Sequence, residues 1–415
     1  MRSHYCTIGL CLLLVITSCN NSNNDWMPSE NRLINPNACI ELTRAEKKIA
    51  AKDLDFGIDM FKHLAKENGK DENFLFSPFS ASLAYAMLSA GAEGKTRKEI
   101  VDALGFSGFE YADMASYYKK LTEGMIASDK KVELSFANAV WAGGNIKPDY
   151  VDEVHNNYNA EINEVDFSKT KESAVIINEW TSDKTHGLIP SIVNEQSLKG
   201  TVMMIENALY FKSQWSEGVY FAQKMSFTNS SGKTSQCSSF TNQEPKYYYS
   251  LFDDNVSVLK IPYSPSFNMM FVLPGKGVDI NKFISTLDGQ KWDKWSASCT
   301  SHKVCFEIPC FEDGSSMDLK SSLNDRGMKI PFTPRADFSK MTDFALFVTN
   351  SAQKTYIKVS ENGTEAAAAT TVGMGLTWAG PDNQQEYYFI ADRPFLYAIE
   401  EASTGTLLFI GAHVK

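Results

Sequence analysis

The chain has 415 residues, of which 43% are hydrophobic and 12% aromatic, and its formal net charge is −10. This composition provides a large apolar core and excludes a disordered or fibrous protein. Basic residues are scattered without a long run, which argues against nucleic acid and against a heparin-like activator as partners.

The first eighteen residues predict an export signal. The stretch "MRSHYCTIGLCLLLVITSC" combines a basic start, an apolar segment of signal-peptide length and small residues before Cys19, and it is too short to span a bilayer. "ITSC" resembles a bacterial lipobox, which predicts lipidation of Cys19; an ordinary secretory signal is the alternative. We expect a signal peptide over 1–18 and a lipidated polar tether over 19–44. The protein would then be anchored by lipid alone in a bacterial cell envelope, on the periplasmic or the outward face.

Two helices are predicted at the start of the remaining chain. Thr43 and Glu46 have the spacing of a capping box, and Gly69 is suited to end the helix that follows. Ser77 and Pro78 suit the entry of a second helix. This second helix is apolar nearly all round, so we expect it to be buried.

The second half of the chain is richer in strands. Alternating or continuous apolar runs recur after residue 200, and "PFLYAIEEASTGTLLFIGAHVK" predicts a hairpin at the C-terminus. No proline- or glycine-rich linker interrupts the chain after residue 45. These features predict one α+β domain over 45–415 with large, mostly antiparallel sheets.

Catalytic and metal motifs are weak. "SAGAEGKT" lacks the first glycine and the preceding strand of a phosphate loop, and no metalloprotease or nucleophile-elbow motif is present. A zinc site could be drawn from Cys299, His302, Cys305 and Cys310, but Cys305 and Cys310 would face opposite sides of one strand. Strand thiols explain these cysteines better, so we expect no cofactor, no metal and no enzymatic activity.

The composition of residues 360–389 is unusual. The stretch "SENGTEAAAATTVGMGLTWAGPDNQQEYYF" contains four consecutive alanines but no lysine or arginine. It has no large apolar residues at helical spacing, and it is too short of charge for a disordered linker. Some other requirement must select small, uncharged residues here.

Several separated motifs resemble the serpin family, over roughly residues 45–415. "NFLFSPFSASLAYAMLSAGAEGKTRKEI" resembles the second helix of serpins, "INEWTSDKTHGLIPSIV" an element that follows it, and "ENALYFKSQW" the strand with the family's asparagine and tryptophan. "FIADRPFLYAIEEASTGTLLFIGAHV" is similar to the C-terminal hairpin, and "ENGTEAAAAT" to the hinge of the reactive-centre loop. The resemblance implies three β-sheets, a helical N-terminal half and an exposed reactive-centre loop at about 361–391.

The resemblance also implies a function, suicide inhibition of serine proteases. A protease cleaves the loop, and the loop then enters the main sheet as an extra strand before the acyl-enzyme hydrolyses. The expected partner is a serine protease, with papain-like cysteine proteases as further candidates, in a covalent 1:1 complex with a monomeric inhibitor. Small hinge residues suit a segment that must be exposed first and packed later. The implied hinge residues are Glu361, Gly363, Thr364, Glu365, Ala366, Ala367, Ala368, Ala369 and Thr370.

The family's usual spacing places the scissile bond between Thr377 and Trp378. The loop is several residues longer than is common after Trp378, so Leu376 is an alternate, with Met374 and Gly375 also open. No lysine or arginine occurs from Val359 to Asp392, which disfavours trypsin-like enzymes. Elastase-, subtilisin- and chymotrypsin-like enzymes are the expected targets.

The resemblance also implies a buried hydrogen-bond cluster where the sheet opens. Its members here would be Ser77, Ser80, Asn207 and Gln353, with Trp215 nearby on the same strand segment. Gln353 stands where the family often has histidine; glutamine can still donate and accept hydrogen bonds, without histidine's sensitivity to pH. Simple drift at this position is the alternative.

Two other functions compete with inhibition. Some serpins are non-inhibitory, although their hinges often contain bulky or charged residues that this chain lacks. A surface lipoprotein that binds glycans is the other alternative, with Trp26 and Trp295 as candidate contacts, but it leaves the hinge composition unexplained.

Overall fold

The structure is a computed structural model that describes residues 26–29, 39–68, 71–216, 218–253, 255–364 and 385–415. Within these ranges, helices dominate the first half of the chain and strands the second. The described α-helices are α1 Arg44–Asn68, α2 Pro78–Ala90, α3 Gly94–Leu104, α4 Tyr111–Ser128, α5 Pro148–Tyr158, α6 Thr170–Lys184, α7 Ile280–Ser285, α8 Gly289–Ser298 and α9 Lys320–Asp325. No helix of the described ranges has both the length and the apolar character needed to cross a membrane.

The strands form two hydrogen-bonded sheets. Their bounds are β1 Phe74–Phe76, β2 Glu133–Ala142, β3 Glu161–Glu164, β4 Met203–Lys212, β5 Tyr220–Thr228, β6 Thr234–Thr241, β7 Lys246–Phe252, β8 Val256–Pro262, β9 Phe267–Pro274, β10 Thr300–Pro309, β11 Phe311–Asp318, β12 Asn350–Ser360, β13 Gly363–Thr364, β14 Glu386–Ile390, β15 Phe395–Glu401 and β16 Leu407–His413. The smaller sheet has the order β11-β12-β4-β2-β3, with β13 paired to β12. We call it the main sheet.

The larger sheet has ten strands because β10 joins two parts of it. Its order is β1-β16-β15-β9-β8-β7-β10-β6-β5, and β14 pairs with β10. The first part of β10 pairs with β7 and its last three residues pair with β6. Two of the three sheets expected from the resemblance are therefore continuous with each other through this strand.

The local signals in the sequence correspond to the observed elements. The Thr43 main-chain N–H donates to Glu46 Oε2 at 2.7 Å, and Glu46 N–H donates to Thr43 Oγ1 at 3.2 Å, as in a capping box. α2 begins at Pro78, directly after Ser77, and all its residues except Ala90 are buried. β15 and β16 form the predicted C-terminal hairpin and are buried along their whole length.

Parts of the predicted tether pack on the domain. The Trp26 indole donates to Asp55 Oδ2 on α1 at 3.0 Å, and the Ser29 hydroxyl donates to Asp293 Oδ2 on α8 at 2.6 Å. Ile40 N–H donates to the Ser403 hydroxyl in the turn between β15 and β16. These contacts show that the domain extends N-terminal of residue 44, while 1–18 and Cys19 lie outside the described residues.

Candidate functional site

The hinge begins as a short strand at one end of the main sheet. Residues 361–362 form a turn after β12, and β13 folds back on β12 with Thr364 opposite Val359. Thr364 also forms an antiparallel bridge to Ser213, whose N–H donates to Thr364 O at 3.1 Å and whose O accepts from Thr364 N–H at 2.9 Å. Thr364 therefore lies between β12 and the residue that follows β4. The hinge residues 365–370 and the predicted scissile residues Leu376, Thr377 and Trp378 lie outside the described residues.

Gly363 occupies a position that excludes other residues. Its φ is +120°, and a Cβ built there would lie 2.2 Å from Ser213 O and 2.7 Å from Gln214 Cα. Both contacts are with main-chain atoms, so a side chain would displace the strand itself. The sequence suggested glycine here for its permissive backbone; the close approach of residue 213 adds a second reason.

Trp215 lies beside the hinge and not in the hydrogen-bonded cluster with which the family resemblance groups it. Its indole donates to Ser360 O at 2.8 Å, and its ring stacks on Tyr263 with centroids 4.5 Å apart. The Tyr263 hydroxyl in turn hydrogen-bonds to Thr364 Oγ1, and burial raises the Tyr263 pKa well above its usual value. The separation arises because Trp215 follows β4, eight residues beyond Asn207. Trp215 and Tyr263 thus fix the start of the hinge.

The other four predicted cluster residues form one buried network between α2 and the main sheet. Gln353 on β12 accepts from Ser77 N–H at 2.9 Å, and its amide donates to Ser77 O at 3.0 Å and to Asn207 Oδ1 at 2.5 Å. The Asn207 amide on β4 lies 2.5 Å from Ser80 Oγ and 2.6 Å from Ser80 O. All four side chains are at most 2% exposed. Gln353 thus forms hydrogen bonds with both Ser77 and Asn207 and adds no titratable group to the cluster.

Asn138 is a fifth member of the cluster and is not among the residues that the family resemblance implies. It lies on β2 directly opposite Asn207, is 1% exposed, and its Oδ1 is 2.5 Å from Asn207 Nδ2. Its own Nδ2 has no hydrogen-bond partner in the described part of the chain. An asparagine inside the apolar strand "FANAVWA" was the available signal, because a buried polar side chain in a strand requires a partner.

The main sheet is closed where the cluster lies. β12 and β4 are parallel neighbours, with Asn350–Lys354 paired to Met204–Ala208 and Gln353 directly opposite Asn207. A strand inserted between them would have to break this pairing. The hydrogen bond between Gln353 and Asn207 joins β12 and β4, the two strands that an inserted strand would separate.

Glu206 is a buried acid on the opposite face of β4, and no sequence signal drew attention to it. It is fully buried, accepts from the Trp141 indole at 2.6 Å and hydrogen-bonds to the Thr181 hydroxyl on α6. The Thr181 hydroxyl also lies 2.8 Å from Ile177 O, to which it can only donate. Burial raises the Glu206 pKa to about 8. The carboxyl is therefore neutral at neutral pH and holds α6 against the main sheet.

We expect Glu206→Gln to remove a pH dependence of stability. The pKa of Glu206 in the folded protein, about 8, lies above the ordinary value of 4.5. The neutral carboxyl therefore stabilises the folded state fully below about pH 4.5, and this stabilisation is lost as the pH rises through 8. The free energy of unfolding of the wild type should fall between pH 5 and 8 relative to the variant, by up to about 1.4 kcal/mol per pH unit. Denaturant unfolding of both proteins at pH 5, 6, 7 and 8 measures this difference. A constant difference would show that Glu206 is ionised throughout.

The residues considered for zinc or glycan binding do not form such sites. Cys299 ends α8 and its thiol lies 3.3 Å from Trp295 O, and in the described ranges no group of His, Cys, Asp or Glu is arranged to hold a metal ion. Trp295 is 9% exposed and stacks on Phe283, and Trp26 is partly buried against α1. Neither tryptophan presents a free ring to a sugar. Neither position therefore supports the glycan-binding alternative.

In the described part of the chain, the main sheet has six strands, with the hinge at one end and a buried polar cluster within it, and comparison with known proteins agrees with this geometry. The family model for serpins, described as serine protease inhibitor, matches residues 51–415. Mouse neuroserpin is 30% identical over 370 residues, covering 86% of this chain and 89% of that protein. Plasminogen activator inhibitor 1 from Neovison vison is 29% identical over 390 residues, covering 88% and 92%.

Solved structures give the same result. Tengpin, a thermophilic serpin in the native state, matches with a TM-score of 0.77 and 27% identity, covering 92% of this chain and 97% of that one. Thyroxine-binding globulin in complex with thyroxine matches with a TM-score of 0.79 and 27% identity, covering 89% and 99%. The fold and the site define a serpin-type architecture. The chain belongs to the serpin family.

Proposed function

We propose that this serpin traps its target proteases by inserting its cleaved reactive-centre loop into the main sheet. The observation that supports this proposal most strongly is the position of Thr364. It is already paired with Val359 on one side and with Ser213 on the other. Insertion would continue this two-sided pairing along the sheet while β12 and β4 separate, and each further residue would gain main-chain hydrogen bonds on both sides.

The register of Thr364 determines the neighbours of every later loop residue. Because Thr364 pairs antiparallel with both neighbours, each residue further along the inserted loop would lie opposite a residue one position earlier in β12 and in β4. Glu365 would then lie between Lys358 and Lys212, two lysines that now pair with carboxylates on adjacent strands. Opposite charges on neighbouring strands stabilise a sheet. This placement gives the hinge glutamate a specific partner on each side.

The alanines of the hinge would lie between larger side chains. The same register would place Ala366 between Ile357 and Phe211, and the next alanine between Tyr356 and Tyr210. A larger loop side chain would overpack these sites, at a cost of about 1–3 kcal/mol each. The four consecutive alanines, which neither helix nor linker explains, are therefore what a rapidly inserting strand requires.

Thr370 would enter the buried cluster. Continued to residue 370, the register would place Thr370 between Gln353 and Asn207, which are at present hydrogen-bonded directly to each other. Its hydroxyl can donate and accept, so it can replace the bond that its insertion breaks. The cluster thus stabilises the closed sheet before cleavage and offers partners to the loop afterwards.

The chemistry is supplied by the protease. Its nucleophilic serine attacks the carbonyl of Thr377, the peptide bond to Trp378 breaks, and the new amine leaves protonated while an ester joins the two proteins. Insertion of about 14 residues at ~3.3 Å each moves the tethered enzyme by tens of ångströms. The displacement distorts the protease active site, so the ester is not hydrolysed. The serpin contributes no catalytic group.

A protease panel tests this function. Neutrophil-type elastase and subtilisin should each form a covalent 1:1 complex that survives a denaturing gel, because residues 374–377 offer small or medium apolar side chains. Trypsin should form none through this loop, because its pocket needs lysine or arginine. Mass spectrometry of the released C-terminal peptide should place the cut before Trp378, or before Thr377 if Leu376 is the recognised residue. A trypsin adduct within residues 361–392 would refute the specificity.

The location of the protein is part of the proposal. The signal-like residues 1–18 and the lipobox-like sequence before Cys19 support a lipoprotein of a bacterial cell envelope that acts as a monomer on proteases at the membrane. Because Trp26 contacts α1, only six residues separate Cys19 from the domain, a reach of at most about 25 Å. Metabolic labelling with a palmitate analogue, abolished by Cys19→Ala, tests the anchor.

A further inference from the structure

Exposed tyrosines are concentrated in one part of the molecule. Three tyrosines are exposed by more than a third in the described ranges: Tyr220 at 43%, Tyr249 at 38% and Tyr388 at 64%. All three lie on strands of the larger sheet next to β10 or β6. Ile390, 36% exposed, lies two residues after Tyr388 on β14.

The strand register places these side chains on a single face. Ile390 is opposite Glu307 on β10, Glu307 is opposite Thr241 on β6, and Thr241 is opposite Tyr220 on β5. Directly opposite residues point to the same side of a sheet. This row crosses four strands and has an exposed residue at each end, Ile390 and Tyr220. At 4.8 Å between neighbouring strands, the two ends of the row are about 14 Å apart.

The two other tyrosines belong to the same face. Tyr388 is opposite Cys305, and Tyr249 is opposite Ser301, both on the same side of β10 as Glu307. The alternate residues Val304, Phe306 and Phe389 are buried on the other side. We call Tyr220, Tyr249, Tyr388 and Ile390 the tyrosine face.

The size of the tyrosine face sets it apart from scattered surface residues. At about 200 Å² per large side chain, its four members present on the order of 350 Å². Polar residues, among them Glu307 and Thr241, lie between these side chains, so the exposed rings share one face without forming one continuous apolar patch. Tyrosine is also enriched in protein interfaces, because its rigid ring gives contact area and its hydroxyl a hydrogen bond.

We propose that the tyrosine face is a docking surface for the rim of the target protease, outside the enzyme's active-site cleft. This face is continuous with the loop, and its assignment rests on the proposed inhibitory function. Glu386 begins β14 directly after the loop, and Tyr388 lies 11 residues after Thr377, within about 36 Å of fully extended chain. A protease of ordinary size that holds Thr377 has a radius of roughly 20 Å. The connecting chain is therefore short enough for the primed-side rim of such a protease to reach β14.

The charges on this face indicate a partner surface that is nearly neutral. Lys303 pairs with Glu386 at 3.0 Å, and Glu307 accepts from the Ser239 hydroxyl at 2.8 Å. These groups already have partners, so the aromatic rings and tyrosine hydroxyls remain for contact. The matching rim would present apolar side chains and hydrogen-bond acceptors, and the association rate would depend little on salt.

Tyr388→Ser tests the docking surface. The second-order rate constant for inhibition of subtilisin and of neutrophil-type elastase should fall about tenfold, with an unchanged stoichiometry of inhibition, because the loop and its insertion are untouched. The Kd for each protease with its nucleophilic serine replaced by alanine should rise by a similar factor. Phe344→Ser is the matched control: this aromatic is 59% exposed but lies against Gly144, so neither quantity should change.

The outcomes separate the two proposals. Covalent complexes that form at the wild-type rate in Tyr388→Ser would overturn the docking surface and leave inhibition intact. Failure of the wild type to form any covalent complex would overturn the inhibitory function. If Tyr388→Ser then also bound the inactive proteases with the wild-type Kd, the docking surface would be overturned as well. Sedimentation showing a wild-type dimer that Tyr388→Ser dissociates, at an unchanged inhibition rate, would assign the face to a second copy of this chain.

Discussion

Replacing Thr370 by arginine is expected to convert the protein from an inhibitor into a substrate of the same proteases. After insertion, the register of Thr364 would place residue 370 between Gln353 and Asn207, whose side chains are at most 2% exposed. An arginine inserted there would bury a charge without a counter-ion, which costs several kcal/mol. Insertion would stall at this residue, and water would hydrolyse the acyl-enzyme.

The stoichiometry of inhibition measures this conversion. It should rise from near one in the wild type to more than about ten in Thr370→Arg, because each 1.4 kcal/mol on the insertion barrier shifts the partition tenfold. Subtilisin or elastase should be used, since the new arginine could be cut by trypsin. Gln385→Arg is the control, because it adds the same side chain just before β14, outside the inserting segment. Equal stoichiometry in Thr370→Arg and the wild type would show that residue 370 does not enter the sheet.

Gln353→Ala should cause a large loss of stability in the uncleaved protein. It leaves the buried Ser77 N–H and Asn207 Oδ1 without the partners they now have at 2.9 and 2.5 Å. Each buried polar group left unpaired costs about 1–3 kcal/mol, and a cavity adds to this. We expect the free energy of unfolding to fall by about 3–5 kcal/mol in denaturant titrations.

A surface change on the adjacent strand provides the comparison. Glu312→Ala on β11 removes an exposed carboxylate whose nearest cation is 3.8 Å away, so it should alter stability by less than about 0.5 kcal/mol. If Gln353→Ala changed neither stability nor inhibition, the proposed role of the cluster would be wrong. Because the cluster has no titratable member, its contribution should also be constant between pH 5.5 and 7.5.

Features set by neighbours along the chain could be predicted from the sequence. The capping box of Thr43 and Glu46, the entry of α2 after Ser77 and the C-terminal hairpin each depend on a few adjacent residues, and each is present in the structure. The membership of Ser77, Ser80, Asn207 and Gln353 in one cluster followed from the family resemblance, and the structure brings these residues together.

Features set by distant segments could not be predicted. Asn138 joins the cluster only because β2 pairs with β4, and Glu206 is buried only because α6 covers β4. The position of Trp215 beside the hinge depends on where the chain turns after β4. The packing of Trp26 on α1 likewise joins residues 29 positions apart. Strand register and long-range packing decide each of these, and neither is encoded in local periodicity.

The central claim is that the loop enters the main sheet, and the thermal stability of the loop-cleaved protein tests it most directly. A protease that cuts the wild-type loop without being trapped is used to prepare the nicked protein, and its unfolding midpoint is compared with that of the intact protein. Insertion adds a central strand with hydrogen bonds on both sides, so the midpoint should rise by at least about 10 °C. An unchanged or lower midpoint would mean that the loop does not insert, and would contradict the inhibitory mechanism.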